Sequence, residues 1–130
     1  MWVVVVHAGA GFHSPTKAEL YQQLLAEACF KAAENLSSKV ETTTKESCGS
    51  SVACERALCA LEDSPLTNAG FGSALNEHGF AELECAMMHG PSGGYGAIAA
   101  ITNVKNPSMV AHHLLFKSLQ QLPLGLISPS

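Results

Sequence analysis

The stretch Trp2-Val-Val-Val-Val6, followed by His7-Ala-Gly-Ala-Gly11, constrains this chain more than any other. A branched Cβ crowds a helical turn and fits a pleated backbone, so the valine run favours extended chain. The run is apolar at every position rather than at every second one, which predicts a strand from Met1 to Val6 covered on both faces. Gly9 and Gly11 then permit positive φ or close backbone approach. Ser14-Pro15 predicts a helix start, with Thr16-x-x-Glu19 as a second capping pattern. A strand that breaks into two glycines and opens a helix delivers backbone amides to something.

Behind that start, Leu20, Leu24, Ala28 and Ala32 recur at a spacing of four, widened by Leu25, Cys29 and Leu36. This is one apolar stripe of a helix lying on a sheet. Residues 37–51, "SSKVETTTKESCGSS", carry no period and predict a surface loop insertion. A second helix is expected from Val52 to Leu61, with Ala53, Ala57 and Ala60 forming a thin packing face. "LEDSPLTNAGFGSALNEHG" has the composition of a structured loop. Leu83, Cys85 and Met87 alternate with Glu84, Ala86 and Met88, and "YGAIAAI" follows a glycine-rich turn, so the pair predicts a hairpin. Asn106-Pro107 then starts a last helix, with Met109, Val110, Leu114 and Phe116 expected to face inward. The order strand, helix, helix, hairpin, helix implies a mixed α/β (α+β) chain rather than an all-parallel sheet.

Only 14% of the residues are charged against 47% apolar, an unusual balance for a chain of 130 residues with so much surface to cover. Apolar surface is therefore expected to meet another chain or segment. A net charge of −4 without a basic cluster argues against nucleic acid. Trp2 to Val6 is far too short to cross a membrane, so no membrane partner is expected. The five cysteines are odd in number, and Cys48, Cys54 and Cys59 follow a C-x5-C-x4-C spacing unlike zinc or thioredoxin patterns. Reduced thiols in a cytoplasmic or nuclear setting are the expectation.

The histidines at 7, 13, 78, 89, 112 and 113 form no H-x-x-x-H or H-E-x-x-H pattern, and surface or core-edge positions are expected for them. The third glycine of a dinucleotide fingerprint is replaced by Ser14. There is no G-x-S-x-G elbow, and no serine is set up beside a histidine and an acid. Two glycine loops, "HAGAG" and "NAGFG", are thus expected to border a site whose nucleophile they do not supply.

Taken in order, "HAGAGFHSPTKAEL", "LEDSPLTNAGFGSALN", "MMHGPSGGYGAIAAI" and "VKNPSMVAHHLL" resemble the first part of the threonine aspartase (taspase) branch of the asparaginase-2 type N-terminal nucleophile (Ntn) hydrolases. The resemblance covers residues 1–130 apart from the insertion at 37–51, as an incomplete α-subunit region. It implies a partial αββα sandwich, truncated before the β-subunit. In such hydrolases a precursor cuts itself and exposes an N-terminal threonine, whose hydroxyl attacks while its α-amine acts as base. The threonines at 16, 42, 43, 44, 67 and 102 never follow a glycine, so none matches the family's nucleophile and the chain is expected to be inactive alone.

By the same resemblance, Gly9, Gly11, Lys17 and Asn68 are supporting residues of the active-site loop. Backbone carbonyls of Leu61, Glu62, Ser64, Thr67, Ala69 and Phe71 match a sodium-holding loop. No other cofactor is implied. The family's E-x-D-A-x-x-M-D-G reads here as Glu82 to Gly90, with Glu84 and His89 in the two aspartate places. The implied activity is a threonine-type endopeptidase cutting proteins after aspartate. The alternatives are an isoaspartyl peptidase/L-asparaginase portion, or a non-catalytic product that binds full-length subunits. The implied partners are the β-subunit of the same precursor, a second α/β protomer and protein substrates with aspartate sites.

Overall fold

The computed structural model describes residues 1–9, 14–37 and 49–120. A single 3-10 turn, Pro15–Lys17, leads into α1 (Ala18–Ser37), which is followed by α2 (Gly49–Glu62). A second 3-10 turn, Gly70–Gly72, precedes the antiparallel hairpin of β1 (Leu83–His89) and β2 (Gly94–Ile101), and α3 (Pro107–Gln120) closes the described chain. The result is a mixed α+β chain with one two-stranded sheet, consistent with a partial sandwich.

Two apolar clusters hold it. The first joins α1 to α2: Leu24, Ala28 and Ala32 meet Ala53, Ala57, Ala60 and Leu61. Small side chains on both partners let the helix axes approach closely, as the alanine spacing predicts. The second lies between hairpin and α3, where Met87 packs on Ala111 and Leu115 with Leu58 and Cys85 at its edge. Gly96 of β2 makes that contact close. A Cβ there would run into the Ala111 carbonyl and the Leu115 amide, so only glycine fits.

Three expectations change. Met1–Val6 forms no strand among the described residues. Val4, Val6 and Ala8 pack on the α1–α2 cluster, whereas Val3 and Val5 remain 80% and 85% exposed. The run has one covered face, because no neighbouring strand among the described residues reaches the other. Secondly, α2 begins at Gly49 and α1 runs through Ser37, so both helices extend into the region read as a loop, while residues 38–48 lie outside the described residues.

Thirdly, α3 turns a different face inward. Pro107, Ser108, Ala111, His112 and Leu115 are buried, whereas Met109 is exposed and Val110, Leu114 and Phe116 are half-buried. The apolar count was misleading here because α3 faces polar groups of α2 as well as the hairpin. The hairpin itself matches its alternation. Leu83 and Met87 are buried, Cys85 is half-buried, and Glu84, Ala86 and Met88 are exposed. A bulge between Leu83 and Cys85 shifts the register from Leu83 opposite Ile101 to Cys85 opposite Ile98.

Candidate functional site

The loop after α2 is tied down by its own backbone and hydroxyls. Thr67 donates its hydroxyl to the Leu61 carbonyl at 2.6 Å, and the Ser64 amide donates to the same oxygen at 3.2 Å. Tyr21 reaches over from α1 and donates to the Leu66 carbonyl at 2.8 Å. Asn68 accepts from the Ala74 amide at 2.8 Å, which closes the "NAGFGSA" turn across its 3-10 segment. Gly72 sits against the inner wall of this loop. A Cβ on it would collide with the Thr67 carbonyl oxygen and lie 2.8 Å from that of Ser64.

The carbonyls of Ser64 and Thr67 therefore both press on the Gly72 backbone, and the Ser64 oxygen accepts from the Thr67 hydroxyl at 3.5 Å. The Leu61 oxygen accepts two hydrogen bonds, and Ala69 accepts from the Gly72 amide at 3.2 Å, so these carbonyls too are taken up by the loop's own donors. Beside the loop, Asp63, Phe71, Phe80, Thr102, Asn103 and Lys105 line an open cleft of about 700 Å³.

Of the residues assigned to the active-site loop by resemblance, Gly9 ends the N-terminal segment with φ 77°. Gly11 lies outside the described residues. Lys17 is exposed on the first 3-10 turn, and Asn68 is exposed on the loop. No hydrogen bond or ion pair joins Lys17 to Asn68 among the described residues.

A second polar centre was not foreseen. Ser51, Glu55, Cys59 and Glu62 recur along one side of α2, and Ser108 and His112 lie one turn apart on α3. The helices run antiparallel across this seam, so early residues of α2 meet later ones of α3. Glu62, 4% exposed, accepts from the Ser108 amide (3.0 Å), the Ser108 hydroxyl (2.8 Å) and the Asn106 side-chain amide (3.1 Å). A carboxylate from another helix thus caps the first turn of α3, where the helix dipole favours negative charge. Asn106, expected to cap α3 with its own side chain, instead donates to Glu62 and, at 3.0 Å, to Asp63.

Lys105 completes this end by pairing with Asp63 at 3.1 Å. The donors from Asn106 and then Lys105 hold the Asp63 carboxyl below its ordinary range. Cys59 lies 3.5 Å from the Ser108 hydroxyl. Burial, above all, pushes its thiol up, aided by the nearby carboxylates and opposed by the Ser108 contact.

At the other end, His112 is 4% exposed, not at the surface or core edge. Its Nδ1 pairs with Glu55 and its Nε2 lies 3.0 Å from the Ser51 hydroxyl. The expectation that no serine is set up beside a histidine and an acid is therefore overturned. Ser51 and Glu55 lie one turn apart on α2, whereas His112 is distant in sequence, and only the antiparallel packing of α2 on α3 joins it to them. The available signal was the four-four-three spacing of Ser51, Glu55, Cys59 and Glu62, a polar stripe on a helix otherwise rich in alanine.

A sequence profile of the family described as Asparaginase matches residues 1–123. An isoaspartyl peptidase/L-asparaginase of Xenopus laevis is 34% identical over 89% of this chain and 35% of its own length. A probable isoaspartyl peptidase/L-asparaginase 2 of Arabidopsis thaliana is 35% identical over 90% of the chain and 34% of its own length. A plant-type L-asparaginase of Pyrococcus furiosus is 36% identical over 96% of the chain and 38% of its own length. The chain thus spans about a third of the length of the curated relatives it matches.

Proposed function

Because this chain belongs to the asparaginase family, we propose that it is the N-terminal portion of an isoaspartyl peptidase/L-asparaginase, with the nucleophile contributed by chain beyond it. The observation that carries this reading is the match over residues 1–123 to relatives of that description, combined with a set of threonines none of which follows a glycine. The chain then acts as a positioning layer. Its α1–α2 pair supports the loop from Leu61 to Gly72, and that loop holds Asn68 and the edge of the 700 Å³ cleft. A sodium ion held by carbonyls of this loop would stiffen it, without entering the bond-breaking chemistry.

The unpaired extended segment Met1–Val6 and the exposed outer face of the hairpin, with Met88 at 70% and Tyr95 at 68%, are the surfaces such a remaining portion would cover. A β-subunit of the same precursor and a second protomer are the proposed partners. A second reading, an endopeptidase that cuts after aspartate, rests on "HAGAGFHSP" with Lys17.

Substrate choice separates the two. The full product of the gene is assayed for ammonia released from L-asparagine, for aspartate released from a β-aspartyl dipeptide, and for cleavage of an α-linked peptide after aspartate. Turnover of the first two is expected. Cleavage of the α-linked peptide alone would establish the second reading.

A further inference from the structure

The cleft of about 700 Å³ leaves two aromatic rings in water, Phe71 at 76% and Phe80 at 58% exposure. Both stand on braced backbone. The Asn76 amide donates to the Phe80 carbonyl at 2.8 Å, and the Asn76 side chain accepts from the Phe80 amide at 3.0 Å. Phe71 follows Gly70, whose φ of 54° and contact with Glu62 admit no side chain. Rings held in this way lose little freedom when a third ring packs on them. Elsewhere in the lining, Asn103 lies in the left-handed region at φ 59°, and Ala100 just before it does the same at φ 52°. For alanine that conformation is strained, and such strain gathers where a fold holds a ligand.

The charged groups of the lining say which ligand. Among the described residues they are Asp63 and Lys105, paired at 3.1 Å. The pair is exposed, so little is lost when it opens, and the flexible lysine stem can swing away. Asp63 keeps its donor from Asn106 throughout, at 3.0 Å. A carboxylate only accepts and an ammonium only donates. Once parted, the two groups match the ammonium and the carboxylate of one α-amino acid. The Thr102 hydroxyl and the Asn103 side-chain amide meet only at 3.5 Å and add hydrogen-bonding capacity beside them.

We propose that this cleft binds a free aromatic α-amino acid, its ring on Phe71 and Phe80 and its two charges between Asp63 and Lys105. An aromatic side chain is favoured over an aliphatic one because ring pairs gain beyond the area they bury. An apolar cavity with a few convergent polar groups is the usual form of a small-molecule site. Binding here is non-covalent, and it does not depend on hydrolysis of asparagine or of β-aspartyl bonds.

The test is isothermal titration calorimetry on the full product of the gene, with and without saturating L-aspartate to fill the proposed reaction site. L-phenylalanine is expected to bind one site per chain, with the same affinity in both conditions. Phenethylamine, which lacks the carboxylate, and 3-phenylpropionate, which lacks the ammonium, are each expected to bind about tenfold more weakly. L-alanine, which lacks the ring, should give no measurable heat. Lys105→Met, at an exposed position, should weaken L-phenylalanine about tenfold and leave phenethylamine unchanged, a split that a merely structural role would not produce. No heat from L-phenylalanine, its displacement by L-aspartate, or equal affinity for the three aromatic ligands would overturn the proposal on the unmodified protein, before any variant has to fold. Ammonia release from asparagine judges the hydrolase reading separately, whichever of these results is found.

Discussion

Glu62 concentrates more hydrogen bonds than any other side chain of the seam, and its removal should be felt accordingly. In Glu62→Ala the Ser108 amide and hydroxyl and the Asn106 amide lose a buried acceptor together, which should cost about 3 kcal/mol in urea unfolding. Glu62→Gln keeps one acceptor oxygen and should cost about half of that. Two neighbours set the pH dependence. Asp63 has its carboxyl lowered in the fold, so its contribution is present above about pH 4 and is lost as the pH falls through the folded value. That contribution is small because the side chain is 45% exposed and its Lys105 partner 76%. Asp63→Asn should therefore slightly flatten the acid limb of a stability–pH curve. Cys59 has its thiol raised, so its contribution is complete below about pH 8.5 and is lost as the pH climbs toward the folded value. The same burial predicts that iodoacetamide modifies exposed Cys54 well before Cys59 or Cys85, read by peptide mapping over time.

Among the elements, α3 depends on one glycine. Gly96→Ala places a methyl against helix backbone that cannot rotate away, and should destabilise the chain by about 3 kcal/mol, seen as a lower urea midpoint and loss of hairpin signals by NMR. Ala97, exposed one residue along, should accept valine with little change. Elements whose partners are local or apolar were legible in the sequence. The Leu24, Ala28, Ala32 stripe, the Ala53, Ala57, Ala60 face and the alternation of Leu83, Cys85 and Met87 all state their packing directly, because period and burial share one cause. Met1–Val6 was not legible, since four successive valines say that an extended backbone is favoured but not that a neighbouring strand is present. The inward face of α3 was also missed. Ser108 and His112 are buried by Glu62 and Glu55 of another helix, and a polar residue looks exposed until its partner is known. The glycine loops were legible as tight backbone, and the family followed from their order, whereas the choice between aspartate-directed cleavage and asparagine hydrolysis turns on residues that this chain does not carry.

At the scale of the whole molecule, the apolar surface left uncovered is the dominant feature. Trp2, Val3 and Val5, together with Met88 and Tyr95, are exposed on a chain with few charges to keep it soluble. Such a surface binds partners or binds itself. The isolated chain should therefore bind the dye ANS and self-associate with rising concentration in sedimentation velocity, and both effects should disappear when the remaining portion of the hydrolase is present. The central claim is that this chain positions an asparaginase-family active site without supplying its nucleophile. Ammonia release from L-asparagine, measured on the isolated chain and on the full gene product side by side, tests it most directly. The account predicts no release by the chain and steady turnover by the full product. Turnover by the chain alone, or none by the full product, would contradict it.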